Sequence, residues 1–499
     1  MRRAALLPAT VLALAAGCAV GPNYHRPSAP VPQTFKEAEG WKPAEPRDAA
    51  SGSDWWTVFN DPVLNDLEKQ IDVSNQTLKA SEAAWREARA LVSSARAQYF
   101  PTVGITAAGS RSSARSTVTT GGAAGSTGGA VASSPSSHPF NTFEAAAGAT
   151  WDLDIWGKIR RTVESQVANA QASEADLAAA RLSAQATLAM DYADLRVADE
   201  TKKLLDDTVE AFGRSLQITQ NQYKVGVVAK ADVITAQTQY EGAKSNQLAI
   251  GVTRATLEHA IAVLVGKPPA ELSLAPAEFG ATIPVAPTGI PSTLLERNPT
   301  VAAAERSMAA ANAQIGVAIA AYFPDLTLSG SYGYASDAVA QLFRAPNVVW
   351  SFGGTLSETV LDFGARSAQV RQARAVYDQA VANYRQAVLT SFQQVEDQLA
   401  TLRILEAQYA VQDTTVKSAN EAVRLTLNEY KAGTVAYTAV VTAQAIAFAD
   451  AQQLLQIRQS RLNASIALIQ ALGGGWNAAT LGKSDGTAEQ LAAKPGHTP

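Results

Sequence analysis

The residues best placed to do chemistry in this chain form a repeated tyrosine and glycine pair. Tyr223 and Gly226 stand in the segment QYKVGVVAKADVITAQTQ, and Tyr430 and Gly433 stand 207 positions later in EYKAGTVAYTAVVTAQAI. A glycine at such a site ordinarily ends a helix, because glycine adopts a positive φ without strain. The residues alone indicate that a helix ends at each Tyr-x-x-Gly turn.

Catalytic chemistry has little support in the composition. The chain has 499 residues with four histidines and one cysteine, and only His259 lies in a periodic segment. It contains no HExxH, phosphate-binding glycine loop, CxxC or Ser/His/Asp pattern. A net charge of −4 provides no basic face for nucleic acid. We therefore predict a protein that is not an enzyme and that uses no cofactor or metal.

The N-terminus predicts export. Arg2 and Arg3 precede an apolar run that is too short to span a membrane, so residues 1–17 indicate a signal peptide. The end of this run, Ala15-Ala16-Gly17-Cys18, resembles a bacterial lipobox, in which the cysteine becomes the acylated first residue. Ala15 departs from the usual leucine, and a secretory signal that happens to contain cysteine is the alternative. We expect a covalent lipid on Cys18, which has no disulfide partner within the chain.

The chain contains two copies of one unit. The offset of 207 also carries Trp156-Gly157 onto Phe363-Gly364 and Val265-Gly266 onto Leu472-Gly473. A duplication of this length predicts that each copy builds one structural unit. We assign an extended N-terminal segment, a first repeat, a linker, a second repeat and a disordered tail to residues 18–62, 63–270, 271–291, 292–476 and 477–499.

Each repeat is predicted to contain a helix, two strands, a very long helix and a shorter return helix. The strands, with alternating apolar residues, span about 102–110, 140–152, 325–334 and 348–360, and the helices span 157–224, 231–265, 365–431 and 438–472. Strands of roughly ten residues can cross a bilayer, although soluble hairpins show the same alternation. A long helix with no proline would reach about 100 Å.

If the strands span a membrane, the chain must oligomerise. Four strands cannot close a barrel, and an open edge in lipid leaves backbone groups without partners. Two chains would supply eight strands and three would supply twelve, which is enough to leave a lumen. The residues do not choose three chains over four.

Several further motifs stand in order along the chain: CAVGPNY at 18–24, WW at 55–56, DP at 61–62, RNP at 297–299, YFP at 322–324 and LGGGW at 472–476. Taken together, these motifs resemble the NodT-type lipoprotein branch of the TolC-like outer-membrane efflux factors. The resemblance covers about residues 18–476 and implies an α+β membrane protein that forms a homotrimer. It further implies a twelve-stranded transmembrane β-barrel, with four strands per chain, continued by a long periplasmic α-helical coiled-coil barrel.

The resemblance also implies the function and the partners. The chain would be the exit duct of a tripartite efflux pump, anchored by lipid in the outer membrane and extending into the periplasm. Its partners would be a periplasmic adaptor, or membrane fusion protein, and an inner-membrane RND-type transporter. Small toxic compounds or drugs would pass through it.

The resemblance assigns roles to individual residues. Tyr223, Gly226, Tyr430 and Gly433 would form the periplasmic tip turns on which the adaptor docks. Asp232 matches an acidic position at the periplasmic aperture, where symmetric copies would form a cation-selecting carboxylate ring. The alternative for Asp232 is stabilisation of a helix N-terminus by about 0.3–1 kcal/mol.

The second copy departs from the family pattern at the aperture. Val435, Ala439 and Thr442 stand where many members have charged residues. We expect Tyr430 to contribute a hydrogen bond across the aperture and Tyr437 to contribute bulk.

Two other functions remain alternatives. The same architecture could export proteins in a type I secretion system. A non-channel lipoprotein with periplasm-spanning coiled coils would explain the long helices and Cys18, but not the alternating strands. The sequence does not identify the substrate, the pump or the adaptor.

Overall fold

The computed structural model describes residues 19–29, 31–32, 34–37, 54–113, 139–278, 280 and 296–482. The predicted signal peptide 1–17 and Cys18 lie outside the described residues. So do much of the predicted extended segment 18–62, most of the linker 271–291, and residues 483–499 of the predicted tail.

The structure contains two pairs of helices with matching lengths. Two helices have 67 residues each, about 100 Å of helix, and each is followed by a helix of 35 residues. No helix in the described ranges is both long and apolar enough to cross a membrane. The α-helices are α1 (Pro62–Ser74), α2 (Gln76–Ala97), α3 (Lys158–Lys224), α4 (Lys230–Leu264), α5 (Pro299–Ala320), α6 (Ala365–Lys431) and α7 (Tyr437–Ala471).

The ends of α3, α4, α6 and α7 differ from the predicted ends by one residue at most. α3 begins at Lys158, one residue later than predicted, because Gly157 has a φ of +80°. Glycine tolerates this conformation, which a helical residue does not adopt.

The single helix predicted at the start of the first repeat is wrong, because two helices, α1 and α2, form there with Asn75 between them. The Asn75 side chain accepts a hydrogen bond from the backbone N–H of Leu78 (3.0 Å) and so caps α2. Its amide nitrogen donates to the carbonyl of Leu264 (2.7 Å), at the end of α4. The break therefore ties α1 and α2 to the return helix.

An equivalent hydrogen bond, from an asparagine side chain to the end of a return helix, occurs in the second half of the chain. The Asn298 side chain donates to the carbonyl of Ala471 (3.3 Å) at the end of α7, as Asn75 does to Leu264. Gly473 follows α7 with a φ of +92°, and a Cβ there would collide with the carbonyl oxygen of Arg297. Gly266 has the same relation to the carbonyl of Ser74.

Four antiparallel strands form one sheet in the order β1-β2-β3-β4. Pairs such as Thr102 with Thr150 and Tyr332 with Trp350 define the register. Within the described residues, β1 and β4 each have one unpaired edge. Apolar side chains on these edge strands are exposed, including Ile105 (86%) and Phe352 (76%). The strands are β1 (Thr102–Ser113), β2 (Pro139–Leu153), β3 (Asp325–Ser336) and β4 (Val348–Ser357).

The last strand is shorter than predicted. It ends at Ser357, so residues 358–360 do not belong to it. The Arg366 guanidinium contacts this irregular segment, since it pairs with the Glu358 carboxylate (3.2 Å) and donates to the Thr359 carbonyl.

The described residues fall into two compact units. One lies within Met1–His25, Arg89–Ala168 and Ala309–Asp378 and contains the sheet. The other lies within Arg26–Ala88, Asn169–Met308 and Gln379–Pro499. Its core packs large buried side chains from α1, α3, α4, α7 and a 3-10 helix at Trp55–Phe59, among them Trp55, Trp56, Ile71, Leu188, Tyr192, Ile261 and Ile466.

The predicted disordered tail 477–499 is wrong for its first six residues. A 3-10 helix forms at Ala478–Thr480, and the Asn477 side chain accepts the Ala479 N–H (2.8 Å) at its start. Trp476, Ala478 and Leu481 pack against a buried cluster of alanines. Apolar contact therefore orders residues 477–482.

Candidate functional site

The two Tyr-x-x-Gly turns close the α3–α4 hairpin and the α6–α7 hairpin. Gly226 and Gly433 have φ values of +82° and +76°. Each glycine N–H donates to the tyrosine carbonyl three residues earlier, at 2.9 Å for Tyr223 and 3.0 Å for Tyr430. No atom lies within 4 Å of a Cβ placed on either glycine. Glycine is therefore favoured at both positions by the positive φ and not by a lack of space for a side chain.

The tyrosines of the two turns have opposite environments. Tyr223 is 45% exposed, whereas Tyr430 is 4% exposed. Around the first turn, Val225 and Val227 are also exposed. The duplicated sequence thus produces one open tip and one closed tip.

The closed tip is a small apolar cluster in which two hairpins meet. Tyr430, Tyr437 and Val440 of the second hairpin pack against Ala236 of the first. The rings of Tyr430 and Tyr437 lie 5.3 Å apart at 55°. The Tyr430 hydroxyl is 3.4 Å from the Thr219 hydroxyl. The cluster joins the two hairpins of one chain.

Tyr430 and Tyr437 are both buried inside the chain, at 4% and 2% exposure. Their predicted roles at the aperture stay predictions. Burial, with Tyr430 and Asp232 nearby, raises the pKa of Tyr437 to about 12. The Tyr437 hydroxyl is therefore neutral at physiological pH, and its ring acts as a packing element.

Asp232 lies at the third position of α4, where a carboxylate favours the helix N-terminus. Its side chain is half-buried, and in the described part of the chain no cation pairs with it. The equivalent position in α7 is Ala439, so one hairpin of each chain carries the charge. Asp232 is thus available to act on ions, and this role stays a prediction.

Cys18 lies outside the described residues, but hydrogen bonds position the residues that follow it. The backbone N–H of Val20 donates to the Trp156 carbonyl (3.1 Å), just after β2. The buried Arg161 guanidinium donates to the carbonyls of Val20 (3.2 Å) and Gly21 (3.3 Å). A Cβ on Gly21 would meet the Cα of Gly316 at 2.5 Å. Residues 19–21 are therefore seated at the end of β2.

Sequence reasoning missed Thr219, Arg161 and Gly316. Gly316 is a lone glycine in an alanine-rich helix, a signal for close backbone approach that was available in the sequence. Thr219 gave no such signal, because its role depends on a tertiary contact with Tyr430.

Residues 67–267 and 290–474 match the family described as outer membrane efflux protein. The chain belongs to this family. It is therefore an outer-membrane efflux channel protein and not an enzyme. The family excludes the predicted alternative of a non-channel coiled-coil lipoprotein, which the four-stranded sheet also disfavours.

Relatives and solved structures agree with this assignment. The chain is 29% identical over 480 residues to the toluene efflux pump outer membrane protein TtgC of Pseudomonas putida, which covers 95% of the chain and 96% of the relative. It is 27% identical to the cation efflux system protein CusC of Escherichia coli, covering 94% and 98%. A solved structure of the outer-membrane channel OprN superposes with a TM-score of 0.84 at 28% identity, covering 92% of this chain and all of that one.

Proposed function

We propose that three copies of this outer membrane efflux protein form the exit duct of a tripartite pump. The supporting observation is the open four-stranded sheet, whose β1 and β4 edges lack partners in the described chain. In lipid, unpaired edges cost several kcal/mol per polar group, so the strands require neighbours. Three sheets would close a twelve-stranded barrel with a lumen.

The helices of the three chains form the periplasmic tunnel in this proposal. α3 and α6, at 67 residues each, supply its length, and α4 and α7 pair with them. The helix lengths match, and the asparagine hydrogen bonds and close glycine approaches at the ends of α4 and α7 occur in both halves. These observations favour a two-repeat architecture in which hairpins alternate around the ring. A periplasmic adaptor docks at the tips, and an inner-membrane RND-type transporter supplies the substrate.

The lipid on Cys18 anchors the chain beside the barrel. Residues 19–21 are seated at the end of β2 by Arg161, so an acyl chain on the preceding residue would enter the membrane near the strand ends. This placement suits a protein whose strands lie in the same membrane.

Small compounds of several chemical classes are the proposed substrates. The names of two relatives at similar identity specify toluene for TtgC and cations for CusC. Such different cargoes on one fold indicate that the inner-membrane transporter and the adaptor select the substrate. Neither relative is named for protein export, the alternative that the sequence left open.

Deletion of the gene tests the proposed function. We expect increased susceptibility to several unrelated toxic compounds in a panel of antibiotics, dyes, aromatic acids and metals. Reintroducing the intact gene should restore resistance. Unchanged susceptibility together with loss of one secreted protein would favour the secretion alternative and contradict efflux.

Asp232→Ala tests the proposed carboxylate ring. Removing the negative charge of each chain should reduce cation preference in planar bilayers, because the ring attracts cations at a constriction. It should also raise single-channel conductance, because the ring helps to hold the helices in a closed arrangement. Glu241→Ala, an exposed carboxylate further along α4, is the matched control and should change neither. Identical traces for Asp232→Ala and the unsubstituted channel would reject the ring.

Gly226→Trp tests adaptor docking at the open tip. No atom lies within 4 Å of a Cβ placed on Gly226, so the turn has room for the side chain. The positive φ should lower the stability of the folded protein by about 1–2 kcal/mol. The indole should block docking, with loss of adaptor crosslinking and of efflux. Gly242→Trp, at an exposed helical glycine away from the tip, is the control. Docking at this turn would be wrong if a folded Gly226→Trp channel kept full adaptor crosslinking.

A further inference from the structure

A groove with a volume of about 630 Å³ crosses one face of the four-stranded sheet. The register places Val103, Ala149, Gly330 and Phe352 in one row across the sheet, so two small residues lie between two large ones. All four strands contribute to the lining, and none of the described residues that line the groove is charged. The groove therefore has an apolar lining and a floor of small residues.

The groove lies on the apolar face of the sheet. Val103 alternates with Thr102 along β1, and Trp151 alternates with Thr150 along β2. The two threonines pair on the opposite face, where their hydroxyls lie 2.8 Å apart. Transmembrane barrels turn the apolar face of each strand toward lipid and the polar face toward the lumen. In the proposed barrel the groove therefore opens toward the acyl chains of the membrane.

An acyl chain suits the groove in shape and in chemistry. Small residues such as Ala147, Ala149 and Gly330 allow another chain to approach the backbone closely. An empty groove would leave its lining without van der Waals partners on one side. The groove in lipid is therefore filled, either by a free lipid or by a chain attached to this protein.

The first described residue, Ala19, lies at the end of the two strands that form the floor. Its Cα is 2.8 Å from a Cβ placed on Gly157, four residues after β2 ends. Trp156 stacks on Phe323 with the rings 4.7 Å apart, and Phe323 lies two residues before β3 begins. Cys18 therefore precedes a residue that is fixed near the end of β2 and the start of β3.

We infer that an acyl chain attached to Cys18 lies in this groove. Trp151 lines the groove two residues before the end of β2, and the lining continues to Ala147, roughly 13 Å farther along the strand. A chain whose first atoms are already fixed at this end loses less freedom on binding than a free lipid does. The inference rests on the proposed function, which places the sheet and the lipid in one membrane.

The attached chain becomes part of the folded sheet in this arrangement. It covers backbone at Gly330 and contacts the ring of Phe352, so it supports the pairing of β2, β3 and β4. We therefore expect the lipidated protein to resist thermal dissociation better than the same chain without lipid.

Photocrosslinking of the full-length protein in its membrane tests the position of the chain. Cells are fed a palmitate analogue with a diazirine near its end and are irradiated. Mass spectrometry of the digested protein should then find the peptide of Cys18 joined to groove residues such as Ala147, Ala149 or Gly330. Attachment to other faces or to helices would overturn the inference.

Cys18→Ser, exported with a cleavable secretory signal in place of residues 1–17, is the control for free lipid. This protein carries no attached chain, although labelled phospholipid surrounds it. It should show no labelling above background at the groove residues. Equal labelling of the groove in Cys18→Ser would show that free lipid fills it and would overturn the inference.

Filling the groove with a side chain provides an independent test. A Cβ on Gly330 makes only ordinary contacts, the nearest with Phe352 at 3.6 Å, so Gly330→Phe should fold and occupy the floor. The difference in dissociation temperature between the lipidated and Cys18→Ser forms should then disappear. Ile105→Phe is the matched control, because Ile105 is exposed on the same face and does not line the groove. An equal lipid effect in both substituted proteins would contradict the inference.

The outcomes separate this inference from the proposed function. A conducting trimer whose attached lipid crosslinks outside the groove, or which carries no lipid on Cys18, overturns the inference and leaves the channel standing. A non-conducting particle of monomer mass would overturn the proposed function and the inference that rests on it.

Discussion

Replacing Gly473 with alanine is expected to be among the most destabilising single changes in this protein. The φ of Gly473 is +92°, and a Cβ would collide with the carbonyl oxygen of Arg297. A left-handed backbone costs a non-glycine residue about 1–2 kcal/mol, and overpacking typically adds about 1–3 kcal/mol. We expect a total loss near 3 kcal/mol or more, measured as a lower midpoint of thermal unfolding by circular dichroism in detergent.

Gly433→Ala is the matched control for this prediction. Gly433 also has a positive φ, of +76°, but nothing lies within 4 Å of its Cβ position. It should lose only the backbone contribution, about 1–2 kcal/mol. Equal losses for Gly433→Ala and Gly473→Ala would show that the close approach to Arg297 is not present in the folded protein.

Glu68→Gln is expected to stabilise the protein at neutral and basic pH. Glu68 lies on α1 with no exposed surface, and neither carboxylate oxygen has a hydrogen-bond partner among the described residues. Burial, with a smaller contribution from the charge of Asp72, raises the pKa of Glu68 from 4.5 to about 9. The folded protein therefore keeps a proton that the unfolded chain releases.

The sign of the pH dependence follows from this difference. Because the folded state holds the proton between pH 4.5 and about 9, stability falls as pH rises through that window. The slope is about 1.4 kcal/mol per pH unit, so the loss by pH 7.5 is on the order of 4 kcal/mol. Glu68→Gln removes this slope, since the amide does not ionise.

The measurement is unfolding stability at pH 4.5 and pH 8 for both proteins. The gain from Glu68→Gln should be small at pH 4.5 and large at pH 8. Glu82→Gln, at an exposed carboxylate of α2, should not change the unfolding stability at either pH. A gain that does not grow with pH would contradict the proposed burial of a protonated carboxyl.

The sequence was most informative where a pattern is local or repeated. The bounds of α3, α4, α6 and α7 follow from the absence of proline and from the glycines that end the helices, so prediction and structure differ by one residue at most. The strands likewise follow from period-two alternation. The duplicated turns located the candidate tips without a structure.

Contacts between distant segments could not be predicted in this way. The break at Asn75 depends on a bond to Leu264, and the order of residues 477–482 depends on alanines of α3 and α5. The burial of Tyr430 and Tyr437 depends on the first hairpin, which supplies Thr219 and Ala236. The shared Tyr-Lys-x-Gly pattern therefore gave no indication that one tyrosine is buried and the other exposed.

Single-channel recording of the purified protein in planar bilayers, with the particle mass measured on the same sample, tests the central claim most directly. The account predicts particles of three chains that produce discrete ion-conducting steps, because three open sheets close one barrel. A monomeric particle that leaves the bilayer non-conducting would contradict it.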